Sequence, residues 1–323
     1  MRILAIAGFT VLVFGLGAPA GLAAVEPEGP ISHDAPRTFA ATTGYWTPER
    51  MRAARPLAAS GPAVVTSKSV VPKAAAEQVD VPPTVRTQNN RWVAPYPASA
   101  AEQQTWKLGG LIAKTAGKVF GTGGGGTDFV ASGNVVNSAD GDVVVTVAHA
   151  FMDEQGRWSK NLVFVPAYKD GAAPYGKFAA RTMFMWSGYY KDSLRHPPLD
   201  FGMLVVNPVK GKTILQTVGG QGIRFNATAG TSNLLLGYPS NGNGGRTLQF
   251  CSGASVTPKY DMKHAMLCDM GGGSSGGPWF QGFNRFNGTG YQVSAHALRN
   301  TTTSYGAFFG PEALKTYQAA EAA

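Results

Sequence analysis

The chain has 323 residues, of which 42 are glycine and only 15% are charged, and its formal net charge is +9. Abundant glycine with few charges excludes a long charged helical rod and favours many short strands joined by tight turns. The basic residues are scattered, so we predict no nucleic-acid-binding patch; the positive charge instead favours anionic cell wall or acidic proteins.

Residues 1–24 have the pattern of a secretory signal peptide. Arg2 precedes an apolar run over 3–16, and small alanines suitable for cleavage follow up to Ala24. The run is too short and too rich in glycine for a membrane span. We therefore predict a secreted protein, extracellular or associated with the cell wall, without stable membrane insertion after cleavage. An uncleaved anchor is the alternative.

Residues 25–105 are rich in alanine, proline, threonine and serine and show little periodicity. Such a composition buries little apolar surface, so we expect loosely ordered chain. In a secreted protein the segment is interpreted as a propeptide, with Arg86 and Arg91 as processing points. A disordered linker or cell-wall spacer is the alternative, and the sequence leaves both open.

The first strand of the remaining chain is predicted at Gly117–Phe120, followed by a hairpin loop at the tetraglycine 123–126. No Gly-Lys-Ser/Thr follows these glycines, which excludes a phosphate-binding loop. The β-branched run 143–147 predicts a buried strand with His149 at its end. A histidine in this position is, by itself, more often a satisfied polar group than a functional one.

Asp200 follows a Pro-Pro pair and opens the apolar run 201–206, which predicts another buried strand. A carboxylate at the start of a buried strand is costly unless a partner pairs with it. A turn or capping role is the alternative for Asp200.

The segment 271–278, GGGSSGGP, places Ser275 among glycines, where backbone N–H groups can converge on one point. Acyl transfer needs a nucleophilic oxygen beside such donors. The alternative is that the segment is a flexible Gly/Ser linker without a catalytic role. His149, Asp200 and Ser275 occur in the order found in chymotrypsin-type serine proteases. Three unrelated structural roles would not be expected to follow that order.

From about residue 108 onward the sequence resembles chymotrypsin-fold serine peptidases. It is most similar to secreted bacterial glutamyl endopeptidases and actinobacterial trypsin-like peptidases. VTVAH at 145–149 resembles the family's V-T-A-A-H, DFGML at 200–204 its D-I-A-L-L, and GSSGGP at 273–278 its G-D-S-G-G-P.

The resemblance implies an all-β fold of two antiparallel β-barrels with a C-terminal helix, and we assign the peptidase domain to 106–323. The tail 311–320 is itself predicted to be helical, because proline can occupy the first turn and apolar residues share one face. The resemblance implies that this helix packs on the second barrel.

The resemblance implies a serine endopeptidase that cleaves polypeptide substrates through an acyl-enzyme, without metal or cofactor, and we predict a monomer. His149 would be the base, Asp200 its orienting partner and Ser275 the nucleophile, with the N–H groups of Gly273 and Ser275 as the oxyanion hole. A non-catalytic binding protein with the same fold and a secreted esterase are the alternatives.

Ser274 stands where the family often has an aspartate that pairs with a new N-terminal amine in trypsin-type zymogens. Serine cannot form that ion pair, so any propeptide would act by blocking the site or by assisting folding.

Asp269 stands six residues before Ser275, where trypsin-like relatives carry the acid that binds arginine or lysine. Gly271 replaces the cysteine that such relatives have four residues before the serine, so a turn-capping role for Asp269 is the alternative. The sequence therefore leaves open whether Asp269 reads the substrate residue before the scissile bond (P1).

His296 competes with Asp269 for the same role, because VSAHA at 293–297 resembles the segment whose histidine receives a substrate carboxylate in glutamyl endopeptidases. Arg299 would strengthen such a site, and the backbone of Ala297, Leu298 and Arg299 would line the pocket wall. A satisfied buried histidine is the alternative for His296.

Cys251 and Cys268 are the two cysteines of the chain, 17 positions apart. In an exported protein an even pair predicts a disulfide, which would tether the segment leading to Ser275. Zinc binding is not predicted, since no C-x-x-C or histidine cluster accompanies them.

Overall fold

The computed structural model describes residues 28–57, 76–85, 100–191, 194–228, 233–260 and 262–323. The predicted signal peptide at 1–24 and the processing points Arg86 and Arg91 lie outside these residues. No helix within them is long and apolar enough to cross a membrane.

The described residues form mainly strands. In chain order they are β1 (Pro30–Asp34), β2 (Arg55–Pro56), β3 (Val79–Val81), β4 (Ala100–Thr105), β5 (Ala116–Thr122), β6 (Asp128–Val135), β7 (Val143–Thr146), β8 (Lys160–Pro166), β9 (Phe178–Trp186), β10 (Tyr190–Lys191), β11 (Leu194–Arg195), β12 (Gly202–Val206), β13 (Gly222–Phe225), β14 (Asn233–Gly237), β15 (Gln249–Gly253), β16 (His264–Leu267), β17 (Pro278–Asn284), β18 (Thr289–Arg299) and β19 (Thr303–Gly306). The helices are α1 (Phe39–Tyr45), α2 (Pro48–Ala53), α3 (Ile112–Thr115), α4 (Ile214–Val218) and α5 (Pro311–Ala320).

Six antiparallel strands close the first barrel. They hydrogen-bond in the order β9, β12, β7, β6, β5 and β8, and β8 pairs again with β9. Side chains such as Val119, Val144 and Leu204 fill its interior with no solvent exposure. The predicted first strand corresponds to β5, and the tetraglycine does form the β5–β6 hairpin loop.

The second sheet runs in the order β16, β19, β18, β17, β14, β15 and β4, with β13 beside β18 and β3 beside β13. Apolar side chains such as Leu235, Trp279 and Val293 form a buried cluster against it. The predominance of short antiparallel strands confirms the all-β class expected from the glycine-rich, charge-poor composition.

Helix α5 spans the residues predicted for it, but the expected packing on the second barrel is wrong. The helix packs mainly on β1, β9 and β12, at the side of the first barrel. The hydroxyl of Tyr317 donates to the carbonyl of Asn137 at 2.7 Å, in the loop between β6 and β7. Its ring also contacts Phe225 of β13, so α5 reaches the second sheet through that one strand.

The expectation of loosely ordered chain over 25–105 is wrong for its described parts. β1 pairs with β9 and β2 with β6 of the first barrel, whereas β3 pairs with β13 and β4 with β15 of the second sheet. The segment's own composition supplies few apolar side chains, but it gains its order by adding strands to sheets that already exist.

Two short helices in this segment begin where their sequence favours it. Thr38 and Thr47 cap α1 and α2, and their hydroxyls accept the N–H groups of Ala41 and Arg50. Proline follows Thr47 at the first helical position, where its missing N–H costs nothing. This Thr-Pro pair was a helix signal available in the sequence.

The predicted disulfide between Cys251 and Cys268 is present. It links β15 to the residue that follows β16, with the two Cα atoms 5.8 Å apart. Both cysteines are fully buried against Trp279, so the bridge braces the chain that enters the Ser275 loop.

Candidate active site

His149 and Asp200 meet at one end of the first barrel. β7 ends at Thr146 and His149 follows in a 3-10 turn, while Asp200 lies just before β12, the antiparallel neighbour of β7. Oδ2 of Asp200 is 2.6 Å from Nδ1 of His149, and Oδ1 accepts the His149 backbone N–H at 3.0 Å. This double contact orients the ring and places a proton on Nδ1, which leaves Nε2 free to accept one.

Ser275 lies in the turn between β16 and β17, which is fastened to both halves of the molecule. Its carbonyl accepts the N–H of Ser132 in β6 at 2.7 Å, and the N–H of Gly276 donates to the backbone carbonyl of His296 in β18 at 2.9 Å. Gly276 has φ +82°, and a Cβ there would collide with Ser132 O and Thr146 Oγ1. Glycine therefore lets the serine turn approach the strand that leads to His149.

The nucleophile and the base are not joined by a hydrogen bond. Oγ of Ser275 and Nε2 of His149 are both buried, and neither has a hydrogen-bond partner among the described residues. Such catalytic hydrogen bonds are often open without substrate and tighten when it binds. The structure thus joins His149 to Asp200, and it holds the Ser275 turn against β6 and β7, the strand that leads to His149, with the serine hydroxyl unpaired.

Gly273 and Ser275 were predicted as the oxyanion-hole donors. Gly273 has φ +90°, where a Cβ would lie 2.9 Å from the carbonyl of Tyr238, so a side chain is excluded. No described residue accepts the N–H of Ser275. The N–H of Gly273, however, donates to the carbonyl of Leu57 at 3.0 Å, so the N-terminal segment already occupies one predicted donor.

His296 is fully buried beside the nucleophile turn. Its Nδ1 is 2.9 Å from Oγ of Ser274, and that hydroxyl donates its only proton to the carbonyl of Gly271 at 2.6 Å. Nδ1 must therefore be the donor, which leaves Nε2 as an acceptor without a partner. Burial lowers the pKa of His296 to about 4, so the ring is neutral at neutral pH.

Asp269 lies half-buried beside β4. Its Oδ1 accepts the backbone N–H of Gln103 at 2.8 Å, and its own N–H donates to the carbonyl of Ala101 at 3.0 Å. Asp269 also lies within ligand distance of Cys251 and Cys268, but a disulfide occupies both sulfurs. The carboxylate therefore keeps one oxygen with no bond to a described residue.

Arg299 is held by backbone carbonyls next to Asp269. Its guanidinium donates to the carbonyls of Asp269 at 2.7 Å and Asn300 at 3.0 Å. The neighbouring Ala297 and Leu298 are buried in β18, with exposures of 1% and 3%. Arg299 thus braces this wall, and its charge is directed at main-chain oxygens.

Sequence reasoning missed two residues at this site, Leu57 and Lys118. Leu57 lies in an Ala/Pro-rich segment without periodicity, so nothing in the sequence marked it. Lys118 falls inside the predicted first strand, where a lysine with 4% exposure was a signal, since lysine is almost never fully buried without a partner.

Comparison with known proteins found neither a matching protein-family model nor a matching curated protein. Solved structures do match. About two thirds of this chain, 68%, aligns with all of protease Anisep from Arthrobacter nicotinovorans at 34% identity and a TM-score of 0.62. A 66% share aligns with 99% of AL20, a thermostable serine protease from an extremophilic microorganism, at 30% identity and a TM-score of 0.58. A Glu endopeptidase structure in complex with MPD aligns over 97% of its length at 19% identity and a TM-score of 0.54, a likeness of fold.

Proposed function

The chain belongs to the chymotrypsin-like serine peptidase family, and on that premise we propose that it is a secreted serine endopeptidase. The observation that carries the proposal is the 2.6 Å contact between Asp200 and His149 at the turn that presents Ser275. Residues 106–323 would be the peptidase domain and 1–24 a signal peptide. The buried disulfide agrees with export to an oxidising compartment.

In the proposed reaction Oγ of Ser275 attacks the carbonyl carbon of the scissile peptide bond. Nε2 of His149 takes the serine proton and then gives it to the leaving amine nitrogen, which departs with the second peptide. Water attacks the resulting acyl-enzyme by the same route and restores Ser275. Asp200 holds the imidazole and stabilises its charged form while it carries the proton.

The negative charge that develops on the substrate oxygen would be met by the N–H groups of Gly273 and Ser275. Preorganised donors of this kind contribute about 3 kcal/mol each to stabilising the transition state. Both N–H groups lie on a turn whose glycines are fixed by close backbone contacts, so the donors need little reorganisation during the reaction.

Asp269 is the candidate residue that binds the P1 side chain of the substrate. The proposed P1 preference is therefore for arginine or lysine. It keeps one carboxylate oxygen with no bond to a described residue, whereas neutral His296 is enclosed and Arg299 is bound to carbonyls. A buried acceptor nitrogen on His296 does not attract a substrate carboxylate, since both would be acceptors.

A fluorophosphonate probe, which reacts covalently with activated serines, tests the proposal. We expect Ser275 to be labelled, as located by peptide mapping, and the Ser275→Ala chain to stay unlabelled. A chain that is labelled nowhere, both intact and after its N-terminal segment has been cut away, would refute the enzyme and favour a binding protein. Hydrolysis of small esters without hydrolysis of casein would favour an esterase.

A further inference from the structure

Residues 39–57 lie on the first barrel and lead to the nucleophile turn. Pro56 pairs with Val130 of β6, and the N–H of Leu57 donates to the carbonyl of Val130 at 2.8 Å. The carbonyl of Leu57 then accepts the N–H of Gly273 at 3.0 Å. The segment therefore connects β6 to the predicted oxyanion donor.

Buried contacts anchor this segment. Trp46 has no solvent exposure, its ring packs on Phe120, and its Nε1 donates to the carbonyl of Asn161 at 2.6 Å. At the surface, Nε of Arg50 lies 2.7 Å from Oδ2 of Asp128. A fully buried tryptophan anchors a peptide strongly, whereas the exposed ion pair contributes little.

The proposed nucleophile and base are both buried in this chain. Ser275 has no solvent exposure, and His149 has 7%. The solved relatives are matched from end to end by about two thirds of this chain, a share equal to that of the predicted domain 106–323. About a third of this chain is therefore additional to what those structures contain.

We propose that residues 39–57 are a built-in inhibitor, bound in the active-site cleft with the Leu57 carbonyl on the Gly273 donor. The inference rests on the proposed peptidase function. A substrate carbonyl needs the same N–H in the transition state, so the two exclude each other. Because the anchors are non-covalent contacts, cutting the chain after Leu57 does not activate the enzyme until the segment also dissociates.

Trp46→Ala in the full chain tests this inhibitor. We expect Ser275 to react with a fluorophosphonate faster by roughly a hundredfold, the shift in bound fraction that the loss of a buried tryptophan would cause. Hydrogen exchange at the Gly273 amide should accelerate in parallel. Glu49→Ala, an exposed change in the same segment, is the matched control and should leave both rates unchanged.

Arg50→Ala, a milder change at the surface, should accelerate labelling a few-fold. This variant keeps the test decisive if the Trp46→Ala chain fails to fold. Equal labelling rates in the unmodified chain, the Trp46→Ala chain and the Arg50→Ala chain would overturn the proposal that the segment is an inhibitor. A freed Gly273 amide with no labelling in any variant would instead overturn the peptidase function.

A second observation concerns Lys118 of β5, a lysine with only 4% solvent exposure. It lies over the ring of Tyr168 at 4.5 Å and near that of Tyr238 at 5.9 Å, and no described residue accepts a hydrogen bond from it. Burial lowers its pKa to about 8, so it stays mostly charged at neutral pH. A buried cation of this kind is costly until an anion meets it.

Lys118 lines a cavity of about 200 Å³ that extends to Gly273. Residues of the N-terminal segment form one wall of this cavity. Arg246 and Asp170 also line it, 3.8 Å apart, and Arg52 of the segment lies 3.9 Å from the same carboxylate. When the segment leaves, Arg52 leaves with it, and two cations then face one anion.

We infer that the uncovered cavity is a subsite for an acidic side chain of the substrate, on the leaving-group side of the scissile bond. This cavity lies between β5 and β6 of the first barrel and the β14–β15 loop of the second sheet, and neither Asp269 nor His296, the candidate P1 residues, lines it. An aspartate or glutamate there would supply the acceptor that Lys118 lacks.

Cleavage-site profiling of a peptide library by the Trp46→Ala chain tests the subsite. Acidic residues should be enriched several-fold after the scissile bond, and Lys118→Met should abolish the enrichment while the P1 profile stays the same. Lys169→Met, an exposed lysine nearby, is the control and should keep it. The subsite would be overturned if the Trp46→Ala chain showed no enrichment of acidic residues, or if Lys118→Met left the enrichment unchanged. No cleavage at all would count against the peptidase function.

Discussion

Ser274 Oγ lies 2.9 Å from Nδ1 of His296, in the position where trypsin-like relatives carry an aspartate. Where those relatives form an ion pair, this chain has a neutral hydrogen bond between Ser274 and His296. The hydroxyl of Ser274 also donates a hydrogen bond to the carbonyl of Gly271. The nucleophile turn is thus braced without a new N-terminal amine. If the N-terminal segment is the inhibitor proposed above, activation depends on removing it from the cleft and needs no such amine.

The neutral state of His296 predicts a pH-dependent stability. Burial lowers the pKa of His296 and of His264 to about 4, whereas an unfolded histidine titrates near 6.5. The unfolded state therefore binds more protons between these values. The contribution of the two histidines to the free energy of unfolding should be largest above about pH 6.5 and should fall towards pH 4, by at most about 1.4 kcal/mol per pH unit for each histidine. Burial raises the pKa of Asp142 to about 7, and this group contributes with the opposite sign over the same range, so the histidine contribution has to be obtained from a variant that lacks one of them.

Denaturant unfolding at pH 7, 5.5 and 4 measures this decline. His264→Phe removes one of the two groups, so its stability should fall less steeply towards pH 4 than that of the unmodified chain, by up to about 1.4 kcal/mol per pH unit. The same pH dependence in both proteins would show that His264 is not held neutral in the folded protein.

Asp200→Asn tests the contact between Asp200 and His149. An amide can donate to Nδ1 and favours the wrong tautomer, so we expect kcat/KM to fall by roughly 10⁴ with little change in structure. The value of kcat/KM is measured from the hydrolysis of a fluorogenic peptide by enzyme from which the N-terminal segment has been removed. Asp153→Asn, in an exposed turn, should keep full activity, and a small loss in Asp200→Asn would argue against the triad.

Asp269→Asn tests the proposed reading of P1. The amide keeps the contact with the N–H of Gln103 but loses the negative charge, so cleavage after arginine and lysine should fall by more than about a hundredfold. Profiling on a denatured proteome records the change. Glu102→Gln on β4 is the control, and an unaltered profile in Asp269→Asn would remove Asp269 from the pocket.

Replacing both Cys251 and Cys268 by alanine tests the disulfide. Closing a loop of this length stabilises the folded state by about 3 kcal/mol, and we expect a loss of that order in the free energy of unfolding. Because the bridge precedes the Ser275 turn, kcat should fall as well. An equally stable variant would assign the bridge no part in holding this turn.

Much of the catalytic site could be predicted from the sequence. The residues flanking His149, Asp200 and Ser275 are local strand and turn signals, and their order along the chain limited the fold to one family. The hairpin at 123–126, the bounds of α5 and the disulfide followed from equally local patterns. Each depends on a few neighbouring residues, which is why sequence alone sufficed.

The tertiary structure decided what depends on distant contacts. Leu57 matters only because it contacts both β6 and the Gly273 turn. Leu57 and Gly273 are 216 positions apart in the chain, so no local sequence pattern could predict their contact. The order of the N-terminal segment likewise comes from strands of the barrel, and the side on which α5 packs comes from Tyr317 reaching Asn137. The sequence by itself determined which groups are the candidates for the chemistry, whereas only the fold decided that one of the chain's own carbonyls binds the N–H of Gly273, the predicted oxyanion donor.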